Sequence, residues 1–240
     1  MTLYSSCSII CDFDGTVTPV DSTDLVLARF ALPQWEEVEA QWVSGQISSR
    51  ECMYRQVGLL RTDEKSLNAL IDEIPLTDGF AEFMLFAEKR DLRPRIVSDG
   101  LDYVIRRVLS NHGFSEISVT ANRLMMTGDG FELEFPHSRS TCGSGVCKCA
   151  VAAESGRRII LIGDGRSDIC LSDQAGLVIV RRGMPLESHC REKGRPYKSF
   201  GDFFDIITLF EDGSGKVPGL DQDSRHQARR QALSAASPEK

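Results

Sequence analysis

The chain has 240 residues and a mass of 26.6 kDa, enough to bury a core in one domain or in a domain with an inserted subdomain. Its formal net charge of -7 disfavours a nucleic-acid or anionic-membrane partner. The start, MTLYSSC, lacks the features of a signal peptide, and no apolar run reaches the ~20 residues that cross a bilayer. Eight cysteines are too few for a disulfide scaffold at this length. These features predict a cytoplasmic protein with reduced thiols.

Short apolar runs that end in polar or small residues predict the strands. They lie at residues 8–14, 95–100, 117–122, 158–165 and 177–182. Uninterrupted runs of this kind suit strands that are buried on both faces of a parallel sheet. Helical patterns such as GFAEFMLFAEKR and LDYVIRRVL follow or precede them. The alternation predicts an α/β fold with a doubly wound, mostly parallel sheet.

Residues 20–77 interrupt this alternation. Three helical patterns, ALPQWEEVEAQWVSG, ISSRECMYRQVGLL and TDEKSLNALIDEI, follow one another with no strand between them. We therefore predict a small helical subdomain at 20–77, inserted into a core that comprises 1–19 and 78–211. Within that core, 118–136 has the pattern of a β-excursion with its turn at Gly128-Asp129-Gly130. The polar stretch 212–240 is predicted to be a disordered tail.

Reactive side chains follow several of the predicted strands. Asp12 and Asp14 come after the first, and Asp164 and Asp168 come after the run RIILIG. Ligands of a doubly wound sheet bind beyond the carboxyl ends of its strands, so these side chains are expected to converge. Carboxylates that crowd one pocket repel one another unless a cation holds them, and oxygen ligands suit a hard ion such as Mg²⁺.

DFDGT, then a strand-ending serine, then a lysine, then GDGRSD resemble the four ordered motifs of the haloacid-dehalogenase superfamily of phosphatases. The helical insert after the first motif is similar to the cap of the phosphoserine-phosphatase-like branch. FPHSRSTCGSGVCK resembles the approach to the lysine in two groups of that branch. These are the methionine-salvage 2-hydroxy-3-keto-5-methylthiopentenyl-1-phosphate phosphatases and the phosphoethanolamine/phosphocholine phosphatases. ESHCREKGRPYKSFGDFFDI is similar to the C-terminal part of the salvage group, which we therefore favour.

The resemblance implies the catalytic roles. Asp12 is the expected nucleophile, which forms an aspartyl-phosphate, and Asp14 is the expected general acid and base. Ser98 is expected to bind a phosphoryl oxygen, and Lys148 to neutralise the nucleophile and the phosphoryl oxygens. Lysines are usually solvated surface residues, so the role assigned to Lys148 depends most on its position between the other motifs.

The resemblance also implies a Mg²⁺ cofactor and a substrate site. The expected metal site comprises Asp12, the Asp14 carbonyl and Asp164, with Asp168 bound directly or through water. Thr16 is expected to help hold Asp14, and Asp21 stands where phosphoserine phosphatases carry a glutamate that pairs with the substrate ammonium. The full set of expected substrate-binding residues is Thr16, Asp21, Ser98, Asp99, Gly100 and Lys148.

The predicted function is that of a Mg²⁺-dependent phosphomonoester hydrolase for a small metabolite, acting as a monomer or homodimer without a nucleic-acid or membrane partner. The favoured substrate resembles the methionine-salvage ester, and phosphoserine, phosphoethanolamine and phosphocholine are alternatives. A non-catalytic binding protein of the same fold is the alternative of another class. Such a binding protein is expected to lack the nucleophile, the acid or the lysine. All three are present in this sequence, which disfavours this alternative.

Two further groups of side chains have open interpretations. Cys142, Cys147 and Cys149 with His137 fit no standard zinc finger, which favours a reduced, tight loop near the site. The sequence leaves open whether they bind a metal, and a disulfide on oxidation is disfavoured by a cytosolic setting. The other cysteines lie mostly in apolar patterns and are interpreted as core residues; they are Cys7, Cys11, Cys52, Cys170 and Cys190. Four large side chains at helical spacing are interpreted as core rather than pocket lining; they are Trp35, Trp42, Met53 and Tyr54.

Overall fold

The structure is a computed structural model that describes residues 7–128 and 130–213. The predicted disordered tail therefore lies, from residue 214 onward, outside the described residues. Within the described ranges, no helix combines the length and the apolar character that crossing a bilayer requires.

The strands form one seven-stranded sheet in the order β4-β3-β2-β1-β5-β6-β7. Neighbouring strands run parallel except β3 and β4, which are antiparallel at one edge. The strands are β1 Cys7–Cys11, β2 Arg95–Leu101, β3 Val119–Thr127, β4 Gly130–Glu134, β5 Arg158–Gly163, β6 Leu177–Arg181 and β7 Lys198–Phe200. The predicted β-excursion is thus continuous with the main sheet, because β3 pairs with β2.

Helices connect the strands and flank the sheet. They are α1 Ser22–Phe30, α2 Trp35–Val43, α3 Ser49–Val57, α4 Glu64–Ile71, α5 Phe80–Lys89, α6 Asp102–Asn111, α7 Lys148–Ala153, α8 Ile169–Ser172, α9 Pro185–Glu192 and α10 Phe203–Glu211. Helices α1 to α4 all lie between β1 and β2 in the chain. Their assignment to a separate cap remains a prediction.

The central strand β1 shows why the sheet is covered on both faces. Every residue of β1 is buried. Alternate side chains of a strand point to opposite faces, and accordingly Ile9 and Cys11 belong to one hydrophobic cluster while Ile10 belongs to another. Two covered faces confirm the predicted doubly wound α/β fold.

The two ends of the helical insert meet beside the sheet. The backbone N–H of Thr77 donates to the carbonyl of Val17 at 2.8 Å, and the Thr77 hydroxyl donates to the carbonyl of Thr16 at 2.8 Å. Arg181, at the end of β6, donates to the carbonyl of Gly15 at 3.0 Å. The chain therefore leaves and re-enters the sheet layer at one place, close to the carboxyl end of β1.

Candidate active site

The carboxyl end of β1 carries Asp12, whose backbone N–H still bonds to the carbonyl of Ile162 in β5 at 2.9 Å. The chain then turns sharply over Phe13–Val17. Gly15 adopts a φ of 69°, in the left-handed region, and a side-chain carbon there would collide with the Asp164 carboxylate. Glycine is therefore needed at this turn both for its backbone conformation and for its lack of a side chain.

Lys148 and two aspartates form a buried ion cluster. Lys148 Nζ lies 2.9 Å from Asp12 Oδ2 and 2.7 Å from Asp168 Oδ1. The three side chains are almost completely buried. Burial lowers the pKa of Lys148, but the charges of Asp12 and Asp168 outweigh it and raise that pKa above its usual value. The raised pKa favours the charged form of Lys148. Its expected role beside the nucleophile stays a prediction.

The cluster carries more acid than base. Asp12, Asp164 and Asp168 are buried, with one carboxylate oxygen of each within 4.8 Å of the others. Burial and the charge of Asp12 raise the pKa of Asp164 to about 8 and that of Asp168 to about 7. Within residues 7–128 and 130–213, no other histidine, cysteine, aspartate or glutamate side chains gather this closely. Three oxygen donors in a site with excess negative charge fit a metal cation.

The aspartates differ in how many contacts they already have. Asp168 accepts from Lys148 at Oδ1 and from the backbone N–H groups of Asp164 and Gly165, each at 3.2 Å, at Oδ2. Asp164 Oδ1 accepts from the Thr16 hydroxyl at 3.1 Å. This corrects the expected role of Thr16, which is fully buried and orients Asp164 rather than Asp14. The turn points the Thr16 side chain towards β5.

Asp14 lies apart from the lysine and is held by Ser22. The Ser22 backbone N–H donates to Asp14 Oδ1 at 2.7 Å, and the Ser22 hydroxyl donates to the same oxygen. Burial, followed by the charge of Asp21, raises the pKa of Asp14 well above its usual value. The raised pKa favours the protonated form, which is the form that a proton donor needs.

The segment at the end of β2 brings Ser98, Asp99 and Gly100 to the same edge. The Ser98 hydroxyl is buried and accepts from the backbone N–H of Gly100 at 3.0 Å. The Asp99 carboxylate accepts from Ser49 of α3 at 2.7 Å and from the backbone N–H of Val146 at 2.8 Å. These two bonds join β2 to the insert and to the loop that leads to Lys148.

A cavity of about 630 Å³ opens over these groups, between the end of the sheet and the insert. Asp12, Asp14, Ser98, Asp99 and Asp164 lie at its base. Its remaining wall includes the acidic side chains Asp21, Asp24 and Glu39 and the large apolar side chains Trp42, Met53 and Met184. Of the predicted site residues, Thr16, Gly100, Lys148 and Asp168 lie behind this surface rather than on it.

The cavity corrects the interpretation of the large side chains. Trp42, expected in the core, lines the cavity, and Tyr54 is 59% exposed. Met53 packs against the core, as expected, and also lines the cavity. Trp35 packs against the core, as expected. Helical spacing shows that side chains share a face, but the docking of the insert decides what that face covers.

The cysteines near Lys148 form a pair rather than a metal site. Cys149 Sγ lies 3.0 Å from Cys170 Sγ, across α7 and α8. Cys170, expected in the core, is exposed. The described cysteines are all free, and the metal-type cluster expected as one alternative for Cys142, Cys147, Cys149 and His137 is not formed among the described residues.

Sequence reasoning missed three hydroxyl groups at the site. Ser22 bonds to Asp14, and the Ser167 hydroxyl lies 3.4 Å from Asp12 Oδ2. The buried hydroxyl of Thr23, which lines the cavity, has no hydrogen-bond partner within the described residues. Ser22 and Thr23 directly follow Asp21, which caps α1. The start of a helix so close to the first motif was the sequence signal that could have placed their hydroxyl groups at the site.

Solved structures with the same fold include several phosphatases. A phosphoserine phosphatase described as a phospho-aspartyl intermediate analogue is 21% identical, with a TM-score of 0.64, over 85% of this chain and 98% of that one. A haloacid-dehalogenase family hydrolase from Salmonella enterica serovar Typhi is 20% identical, with a TM-score of 0.69, over 89% of this chain and 72% of that one. These likenesses show that the chain has the fold of the haloacid-dehalogenase hydrolases and phosphoserine phosphatases.

Sequence comparison identifies the family within this class. Residues 7–200 match the family described as "Putative Phosphatase", and the chain belongs to this family of phosphatases. A 2-hydroxy-3-keto-5-methylthiopentenyl-1-phosphate phosphatase of Geobacillus kaustophilus is 30% identical over 212 residues, which are 85% of this chain and 94% of the relative. The enzyme of the same description from Brevibacillus brevis is 26% identical over 211 residues, with the same two coverages.

Proposed function

We propose that the chain hydrolyses a small phosphate monoester at the base of the cavity, and that the substrate is a 2-hydroxy-3-keto-5-methylthiopentenyl-1-phosphate-like ester. The observation that carries the chemistry is the buried contact of Asp12 with Lys148, with Asp14, whose pKa is raised, two positions further along the chain. The names of the relatives and the apolar wall of Trp42, Met53 and Met184 support a methylthio ester.

In this proposal Asp12 attacks phosphorus, and the bond from phosphorus to the leaving oxygen breaks. Asp14 gives its proton to that oxygen, so the alcohol or enol leaves neutral. Asp14 then takes a proton from water as the water attacks the phosphorus of the aspartyl-phosphate, which releases inorganic phosphate and restores Asp12. Lys148 stays charged throughout and offsets the negative charge of the phosphoryl oxygens.

Asp12 and Asp164, with the Asp14 carbonyl, are the proposed holders of Mg²⁺. Asp168, whose two oxygens already accept from Lys148 and two backbone groups, acts in this proposal mainly by orienting the site. The bound cation would supply positive charge against the crowded carboxylates and the phosphoryl oxygens.

The proposal is tested by phosphate release from a panel of esters in Mg²⁺. The panel comprises the methylthio-ketopentenyl ester, phosphoserine, phosphoethanolamine and phosphocholine. We expect the methylthio ester to have the highest kcat/KM. We also expect EDTA to remove turnover, because the carboxylates lose their counter-charge when the cation is removed, and excess Mg²⁺ to restore it. Full turnover in EDTA would contradict the metal site, and release from no member of the panel would contradict this class of substrate.

The acidic wall favours a second candidate, an ester with a substrate ammonium group. Asp21, Asp24 and Glu39 face the cavity together, and burial with the charges of the other two raises the pKa of Asp24 to about 7. The side chains of Asp21 and Asp24 are exposed to water inside the cavity. The surrounding walls still remove part of their solvent, and this raises their pKa. An ammonium group bound there would relieve this repulsion, as in phosphoethanolamine or phosphoserine.

We expect Asp24→Asn to raise KM for phosphoethanolamine about tenfold, the effect of losing one charged contact, while KM for the methylthio ester stays within about twofold. The assay belongs at about pH 8, where Asp24 is mostly charged. Glu37→Gln, an exposed change of the same charge on α2 outside the cavity wall, is the control and should alter neither value. Equal KM changes for both esters would exclude an ammonium site at Asp24.

A further inference from the structure

The two carboxyl oxygens of Asp14 have different surroundings: Oδ1 is held by hydrogen bonds, and Oδ2 points to another part of the site. Both donors on Oδ1 come from Ser22, its backbone N–H and its hydroxyl. Ser22 is fully buried in the first turn of α1. Capping of this helix is done by Asp21, whose carboxylate accepts from the backbone N–H of Asp24 at 2.9 Å. The Ser22 hydroxyl is therefore not required to cap the helix.

The second oxygen of Asp14, Oδ2, lies against Gly100. A side-chain carbon on Gly100 would come within 2.5 Å of Oδ2, 3.2 Å of the Ser98 hydroxyl and 3.4 Å of the Thr23 hydroxyl. Oδ2 thus lies on the side of the carboxyl group where Ser98, the proposed phosphoryl ligand, is found. The hydroxyl of Thr23, unpartnered among the described residues, is on that side as well.

A protonated carboxyl group has one oxygen that accepts and one that carries the proton. In the proposed function Asp14 enters the reaction protonated. Because Ser22 donates twice to Oδ1, Oδ1 is then the accepting oxygen and Oδ2 is the one that carries the proton. When the proton leaves, the same two donors stabilise the carboxylate that forms.

The geometry points to Ser22 as the positioning residue of the general acid: by holding Oδ1 it aims the proton on Oδ2 at the leaving oxygen of the ester. This inference rests on the proposed function, in which Asp14 protonates that oxygen as its bond to phosphorus breaks. Ser22 begins the first helix of the insert, so the acid is aimed only when α1 is docked on the sheet. The insert thereby contributes to the chemistry itself.

Leaving groups that differ in their need for a proton test the inference. A phenolate with a 4-nitro group leaves without protonation, whereas an alkoxide does not. The quantity to compare is kcat/KM, which reports the steps up to departure of the leaving group. For Ser22→Ala we expect kcat/KM for the best alkyl ester of the panel to fall about tenfold, because one hydrogen bond to the acid is lost. For 4-nitrophenyl phosphate we expect a change of less than about threefold, because that leaving group needs no proton.

Two further variants keep the outcomes distinct. Ser22→Thr retains both donors and should restore most of the alkyl-ester rate. Ser48→Ala removes the serine that caps α3, also in the insert but without contact to Asp14, and should affect both esters equally. Turnover of 4-nitrophenyl phosphate shows that each variant is folded.

Equal losses for the two esters in Ser22→Ala, or no loss for either, would overturn the role of Ser22. Failure of the proposed function would be seen elsewhere, as retained hydrolysis in a variant that lacks the Asp12 carboxylate.

Discussion

Asp12→Asn is expected to lower kcat for every ester by roughly 10⁴-fold or more, as the loss of a covalent nucleophile does. The amide of asparagine cannot attack phosphorus as a carboxylate does. The variant should remain folded, because asparagine has the same shape and the Asp12 Oδ1 position still accepts the 2.8 Å bond from the backbone N–H of Phe13. Phosphate release at saturating substrate measures the effect, and circular dichroism checks the fold.

Asp63→Asn is the matched control for this change. Asp63 caps α4 by accepting from the backbone N–H of Ser66 at 2.7 Å, and asparagine caps a helix about as well. The control should therefore keep both its stability and its turnover. An Asp12→Asn enzyme within about tenfold of the wild-type rate would show that another group receives the phosphoryl group.

Lys148→Met is expected to remove turnover and also to lower the free energy of unfolding by about 3–5 kcal/mol, the usual result of leaving buried charges unpaired. Nζ is the cation that contacts both Asp12 and Asp168, whose side chains are 7% and 0% exposed. Without it, the cluster holds three carboxyl groups and no cation. Urea unfolding in EDTA measures the loss of stability, and phosphate release in Mg²⁺ measures the loss of turnover.

Mg²⁺ should restore part of the stability of Lys148→Met, because a cation that binds only the folded cluster favours folding. It should not restore turnover. Lys89→Met removes the same charge from an exposed position on α5 and should change stability by less than about 0.5 kcal/mol. Unchanged stability of Lys148→Met in EDTA would mean that the carboxylates are not charged in the folded protein.

The strands that carry the site could be predicted because they are buried on both faces. An unbroken apolar run marks β1, β2, β5 and β6, and the reactive residues directly follow β1 and β5. The edge strand β7 was not predicted, since three residues with two half-buried side chains leave no pattern. The sheet order then brings the ends of β1, β2 and β5 together, as parallel neighbours require.

The contacts of individual side chains could not be predicted in the same way. Thr16 and Ser22 both follow Asp14 closely, and nothing in their spacing shows that the first bonds to Asp164 and the second to Asp14. That choice depends on the turn at Gly15 and on where α1 docks. The acidic wall at Glu39 and the exposed position of Cys170 likewise depend on how helices pack, which local sequence does not encode.

The bond from Thr77 to Val17 joins the two ends of the insert, and this has an evolutionary consequence. An insertion whose ends meet can change length or be replaced without shifting strand register, because the cost of closing a loop grows only slowly with its length. The proposed phosphoryl-transfer groups Asp12 and Lys148 lie outside the insert, whereas Asp24 and Glu39 lie within it. Recombination at this junction would exchange substrate preference while hydrolysis persisted, provided that each transplanted segment brought its own partner for Asp14.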